Sequence, residues 1–152
     1  GGGPSERSVR RALRGIPHTM AGPLQGVALQ RAYQAMDVFV HTGEEETFGQ
    51  TLQEAHASGL PVIAPAVGGP LDLVNSGTDG VLFEPGDDQS MVQALRSVIT
   101  PRERLAQMGE AGRRKVVSRD WGSVCQELVD HYQRVIAGHN VSREKMAGSQ
   151  AA

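Results

Sequence analysis

An α/β fold, a parallel sheet flanked by helices, is predicted by three observations. Residues 37–41 (Asp37-Val38-Phe39-Val40-His41) and 61–64 (Pro61-Val62-Ile63-Ala64) are short β-branched runs without polar alternation. Strands buried on both faces of a parallel sheet read in this way. Between them, residues 47–58 bring Phe48, Leu52 and Ala55 to helical spacing, and Gly59 with Pro61 supplies a stop. Strand, helix and strand in that order make a βαβ unit, whose ligands sit outside the carboxyl ends of the strands, where helix amino ends point.

The remaining elements follow in chain order. Residues 5–14 read as a helix with Val9, Leu13 and Ile16 inward and Arg7, Arg10, Arg11 and Arg14 on the opposite stripe. Residues 16–20 read as a weak strand carrying Pro17, which sheets confine to their edges. A helix over 29–36 presents Leu29, Ala32, Tyr33 and Met36 to the sheet. After the second strand of the βαβ unit, Gly68-Gly69 makes a tight connection, and Pro70 suits the first position of a short helix reaching Val74. Residues 80–84 form another buried strand. The turn Pro85-Gly86-Asp87-Asp88 caps a helix whose inner face is Met91, Ala94, Leu95, Val98 and Ile99. A helix over 101–118 lines up Leu105, Met108, Gly112 and Val116; another over 121–137 carries Val124, Cys125, Leu128, Val129, Tyr132, Val135 and Ile136 at three-and-four spacing. Residues 1–137 therefore read as one incomplete domain and 138–152, small and polar, as a flexible tail.

The densest chemistry lies in the βαβ connection. Glu46 and Glu54 stand with seven residues between them, the first at the carboxyl edge of a strand and the second two turns along, about 80° around an ideal helix. A carboxylate accepts two hydrogen bonds in a fork, which suits vicinal hydroxyls on a sugar or a ribose. Amides near Thr47, Phe48 and Gly49 would be the unpaired donors of a helix start, fit for a phosphate. A solvated acidic cluster, Glu44 to Glu46 favoured by the helix dipole, fits the same spacing. Similarly, Gly68-Gly69 fits both close approach to a sugar and plain loop geometry.

Residues 33–86, including HTGEEETFGQTLQEAHASGLPVIAPAVGGPLDLV, resemble the donor-binding half of retaining glycosyltransferases of family four, which have the GT-B fold. The HTG before the glutamates and the GGPLDLV after the next strand are similar, more narrowly, to actinobacterial GDP-mannose-dependent α-mannosyltransferases. The resemblance implies a Rossmann-like parallel sheet within an incomplete carboxyl-terminal domain. It further implies that Glu46 contacts the donor sugar, that Glu54 holds the ribose, and that Thr47, Phe48, Gly49 and Gln50 line sugar and pyrophosphate. Gly43 belongs to the same loop, and Met20 to a strand-ending loop beside the base. In such enzymes the donor's anomeric configuration is retained, commonly explained by front-face attack, so Glu46 acts catalytically through electrostatics and not as a nucleophile. This differs from the paired carboxylates of hydrolases.

The resemblance also sets expectations for what surrounds the chain. The opening Gly1-Gly2-Gly3-Pro4 resembles a loop after the family domain's second strand, so the diphosphate-gripping Arg and Lys and the acceptor domain are expected upstream. Alone, the chain is expected to be inactive and, with apolar sheet edges exposed, poorly soluble or partnered. In the complete enzyme a hexose, mannose from GDP-mannose, would pass to a glycolipid or glycan held by the other domain. A non-catalytic nucleotide-sugar-binding module, or another GT-B sugar-nucleotide enzyme such as an epimerase, is the alternative.

Composition bounds the rest. The 152 residues allow one domain, and a net charge of −2 gives no attraction to nucleic acid. The single Cys125 excludes an internal disulfide and reads as a packing residue in a reducing cytosol. No cofactor or metal is expected: Asp87 and Asp88 fit a helix cap, His18, His41 and His56 are scattered, and His56 reads as a surface residue while His41, ending a strand, approaches the ligand. No apolar run nears the ~20 residues of a membrane span. A cytoplasmic location is expected, with the arginine stripe of residues 5–14 offering either a solvated face or peripheral contact with anionic lipid.

Overall fold

The computed structural model describes residues 2–117 and 121–149, the side chains of 121 and 138–149 excepted. Strands β1 (Phe39–Val40), β2 (Val62–Pro65) and β3 (Gly80–Phe83) form a parallel sheet in that order, with Phe39 opposite Val62 and Val62 opposite Gly80. Helices α1 (Glu6–Ala12) and α2 (Gly26–Gln34) precede β1, and α3 (Gln50–Ala57) joins β1 to β2. Next, α4 (Pro70–Leu73) lies between β2 and β3. Helices α5 (Asp88–Ile99), α6 (Arg102–Val117) and α7 (Trp121–Ser149) follow.

The unalternating run in β2 has its explanation in two cores. Val62 and Ala64 face one cluster with Tyr33, Leu52, Ala55, Leu60 and Val74, while Ile63 faces the other with Phe83, Ala94, Val98 and Met108. Every β2 residue is buried, so no position tolerates a polar side chain. The expected helices over the second half of the chain are present, and Asp87 caps α5 by accepting from the amides of Gln89 and Ser90. Between α3 and α6 the seam is built of glycine. A Cβ on Gly109 would fall 1.9 Å from the Gly59 carbonyl oxygen, and one on Gly112 would fall 2.5 Å from the His56 ring.

Several expectations are corrected. Helix α1 buries no residue, and of the face expected to point inward Val9 and Ile16 are exposed and only Leu13 is partly covered. Residues 16–20 form no strand; the segment is irregular, with the His18 Nδ1 2.8 Å from the Ile16 carbonyl, and Pro17 has no N–H to give a sheet. Met36 lies beyond the end of α2 and is exposed. Helix α3 starts at Gln50, later than residue 47, since Gly49 adopts φ 64°, a left-handed conformation that breaks helical geometry before it. Helix α7 continues to Ser149 past Gly138: no proline follows, and Arg143, Glu144, Lys145, Met146 and Ala147 are strong helix formers. The expected end of the preceding helix at 118 lies outside the described residues.

The apolar stripe of α7 is not a core face. Leu128, Val129, Tyr132, Val135 and Ile136 are all exposed, and so is Cys125, which has no packing role among the described residues. No helix among the described residues is long and apolar enough to cross a membrane.

Candidate functional site

A cleft of about 580 Å³ opens beside the amino end of α3, within the range of small-molecule sites. Thr47, Phe48, Gln50 and Glu54 line one side, Gly69, Asp72 and Leu73 a second, and Val116, Val117 and Val124 a third. Four of the residues expected to bind a ligand thus meet in one concavity. Phe48 contributes a largely exposed ring. Met20 and Gly43 lie outside its walls: Met20 is half-buried in the irregular segment before α2, and Gly43 lies over the His41 ring, its Cβ direction 3.0 Å from Nε2.

Glu46 is also outside the cleft walls, and its role is visible in the turn that shapes them. Its Oε1 accepts a 2.8 Å hydrogen bond from the Gly49 amide, and its carbonyl accepts one of 2.8 Å from the Gly69 amide. The Gly49 donor, expected to be open to a phosphate, is therefore occupied by the protein's own carboxylate. With α3 starting at Gln50, the ideal-helix angle between the two glutamates does not apply. Gly69 must be small because a Cβ there would meet the Glu46 and Thr47 carbonyl oxygens at 2.9 and 3.0 Å. The double glycine serves close backbone approach, of one loop to another.

Glu54 is held from two sides. The buried Tyr33 hydroxyl donates to its Oε2 at 3.1 Å, and the Gln50 amide reaches Oε1 at 3.4 Å. Burial, then the hydrogen bond and the charge of Glu54, push the Tyr33 hydroxyl up to about 12. It remains protonated and a donor at any ordinary pH. Sequence reasoning placed Tyr33 against the sheet, where its ring indeed packs on Phe39 at 5.7 Å, and missed the hydroxyl. The available signal was chemical: a core tyrosine needs a polar partner for its oxygen.

His56, expected at the surface, is 1 % exposed. It faces inward because α6 covers that side of α3 and Gly112 leaves room for the ring. Its Nε2 lies 3.2 Å from the Asp79 carbonyl and 3.8 Å from Asp79 Oδ1. Burial lowers its pKa, Asp79 opposes that, and Lys115 adds to it, so the ring is neutral at pH 7. Asp79, itself 1 % exposed, also accepts from the Asn75 amide at 2.8 Å and from Lys115 Nζ at 3.2 Å. His41, at the carboxyl end of β1, has a buried Nε2 without a hydrogen-bond partner among the described residues. No group of three or more described His, Cys, Asp or Glu side chains is placed to hold a metal ion.

Comparison with known proteins points one way. The family model for glycosyl transferases group 1 matches residues 9–115. A GDP-mannose-dependent alpha-mannosyltransferase of Mycolicibacterium smegmatis is 50% identical over 116 residues, covering 76% of this chain and 30% of its own length. One of Corynebacterium glutamicum is 38% identical over 137 residues, covering 90% of this chain and 33% of its own length. Among solved structures, the sucrose-phosphate synthase of Thermosynechococcus elongatus superposes with TM-score 0.74 at 27% identity, over 87% of this chain and 34% of that one. A further match is the Anabaena protein Alr3699/HepE in complex with UDP, with TM-score 0.62 and 26% identity over 68% of this chain and 29% of that one. The chain spans about 30% of the length of the curated relatives it matches.

Proposed function

Because the chain belongs to the glycosyl transferases group 1 family, with a GT-B-type parallel sheet, we propose that its cleft binds the nucleotide-sugar donor of an α-mannosyl transfer. The observation that carries this is Glu54, held by Tyr33 and Gln50 in a cleft at the amino end of α3. A carboxylate with both oxygens already oriented is a ready acceptor for the paired hydroxyls of a ribose. Glu46 is assigned to the sugar: Oε1 is fixed on Gly49, which leaves the second carboxylate oxygen to accept from a hydroxyl. Thr47, Phe48 and Gln50 then line the path from ribose to sugar.

GDP-mannose is the proposed donor, supported by the relatives' names and the 50% and 47% identities to two of them. In the complete reaction the bond from the sugar's anomeric carbon to the diphosphate breaks and a bond from that carbon to an acceptor hydroxyl forms. The acceptor's proton leaves with the diphosphate. Neither Glu46 nor Glu54 bonds to the sugar; both act by charge and position. The acceptor, a glycolipid or glycan, would be held outside this chain.

Titration calorimetry of the full-length protein with GDP-mannose and with UDP-glucose tests the assignment. Binding of GDP-mannose at least about tenfold tighter than UDP-glucose is expected. Binding of neither would remove the donor site, and preference for UDP-glucose would remove the mannosyl assignment.

A further inference from the structure

Both proposed donor carboxylates connect to one buried acid that lies outside the cleft. Asp79, in the loop before β3, accepts from the Asn75 amide on Oδ1 and from Lys115 on Oδ2. Lys115 comes from the end of α6 and also donates to the Leu73 carbonyl at 2.7 Å, at the last residue of α4. Leu73 lines the cleft, and its side chain lies directly against Gly49, where a Cβ would come within 2.1 Å of it. Gly49 in turn donates to Glu46. On the other side, the Asp79 carbonyl and carboxylate face His56, two residues after Glu54 on α3.

We propose that Asp79 is a positioning residue for the donor site, its carboxylate locking α3, α4 and α6 together so that Glu46 and Glu54 face one ligand. The physical basis is the cost of disorder at a buried ion: Asp79 is 1 % and Lys115 24 % exposed by side chain, so separating them strands a charge in a poorly solvated place. The walls of the cleft therefore move together or not at all. A merely local role would leave the Glu46 turn, four links away through Lys115, Leu73 and Gly49, unaffected.

Hydrogen exchange on the full chain reads this directly. Asp79→Asn keeps the shape and removes the charge; Lys115→Met removes the bonds to Asp79 and to the Leu73 carbonyl and, at a partly exposed site, serves if the first variant fails to fold. Both are expected to speed exchange over residues 46–49 and 70–75 by about tenfold while residues 62–65 stay protected. Unchanged exchange over residues 46–49 in the folded variants overturns the proposal.

The consequence for binding rests on the donor-site reading and is measured separately. Asp79→Asn should weaken GDP-mannose binding about fivefold in the parent chain and far less in a background carrying both Glu46→Gln and Glu54→Gln, since it acts through those two carboxylates. Equal losses in both backgrounds overturn the positioning role. Should the parent bind no nucleotide sugar, the donor reading falls, and the exchange experiment still decides whether Asp79 holds the turn.

Discussion

At the scale of single residues, the two glutamates divide their work unequally. Glu54 offers its carboxylate to a cleft, and Glu46 uses one oxygen to build the turn that shapes it. Glu54→Ala should weaken GDP-mannose binding by about 1.5–3 kcal/mol, the worth of a hydrogen bond to a charged group. Calorimetry reads this as a higher Kd, and an unchanged Kd would end the ribose assignment. Tyr33→Phe keeps the ring against Phe39 and removes only the hydroxyl, so a smaller loss of about 0.5–1.5 kcal/mol in the same titration is expected. The spacing of the glutamates was legible from the chain. Their different orientations were not, because the direction of a carboxylate depends on Gly49 and Tyr33, one of them on another helix.

At the scale of elements, the contact of α3 with α6 shows how little sequence marks a close seam. Gly109 and Gly112 look like weak points in a helix, yet each allows an approach that any Cβ would block. Gly109→Ala should lower stability by about 1–3 kcal/mol, because its new methyl meets backbone at Gly59 and backbone cannot rotate away. Urea unfolding would show a lower midpoint at the same slope. On α7 the reverse holds: its periodicity reads as a core face, but Leu128 and Ile136 are exposed. Leu128→Ser and Ile136→Ser should each shift the stability of the chain by no more than about 0.5 kcal/mol in the same assay. Periodicity identifies a face able to be buried; only a packed neighbour buries it.

Across the whole molecule, the buried His56 links folding to pH. Its folded pKa lies below the unfolded value of about 6.5, so the unfolded chain takes up a proton first as pH falls. Its stabilising contribution is therefore complete above about pH 6.5 and declines as pH falls through the folded pKa. The ring faces Asp79 and Lys115, and protonation would add a second cation beside Lys115. Melting curves between about pH 7.5 and about 5.5 should show a steeper loss of Tm in the parent than in His56→Met, which cannot titrate there. Parallel curves would show that the ring does not contribute.

The chain by itself determined the parallel α/β architecture, the strand-helix-strand order around α3 and the capped turn before α5, though β1 is only Phe39–Val40 with Val40 exposed and not a strand over 37–41 buried on both faces. Those follow from local patterns of burial, capping and spacing, which act over a few residues. Tertiary structure alone decided that α3 starts at Gln50, that His56 is buried while the stripe of α7 is exposed, and that Asp79, Lys115 and Tyr33 support the site. Each of these depends on which distant segment lies across from the residue, and burial and charge pairing are properties of that encounter and not of the segment alone.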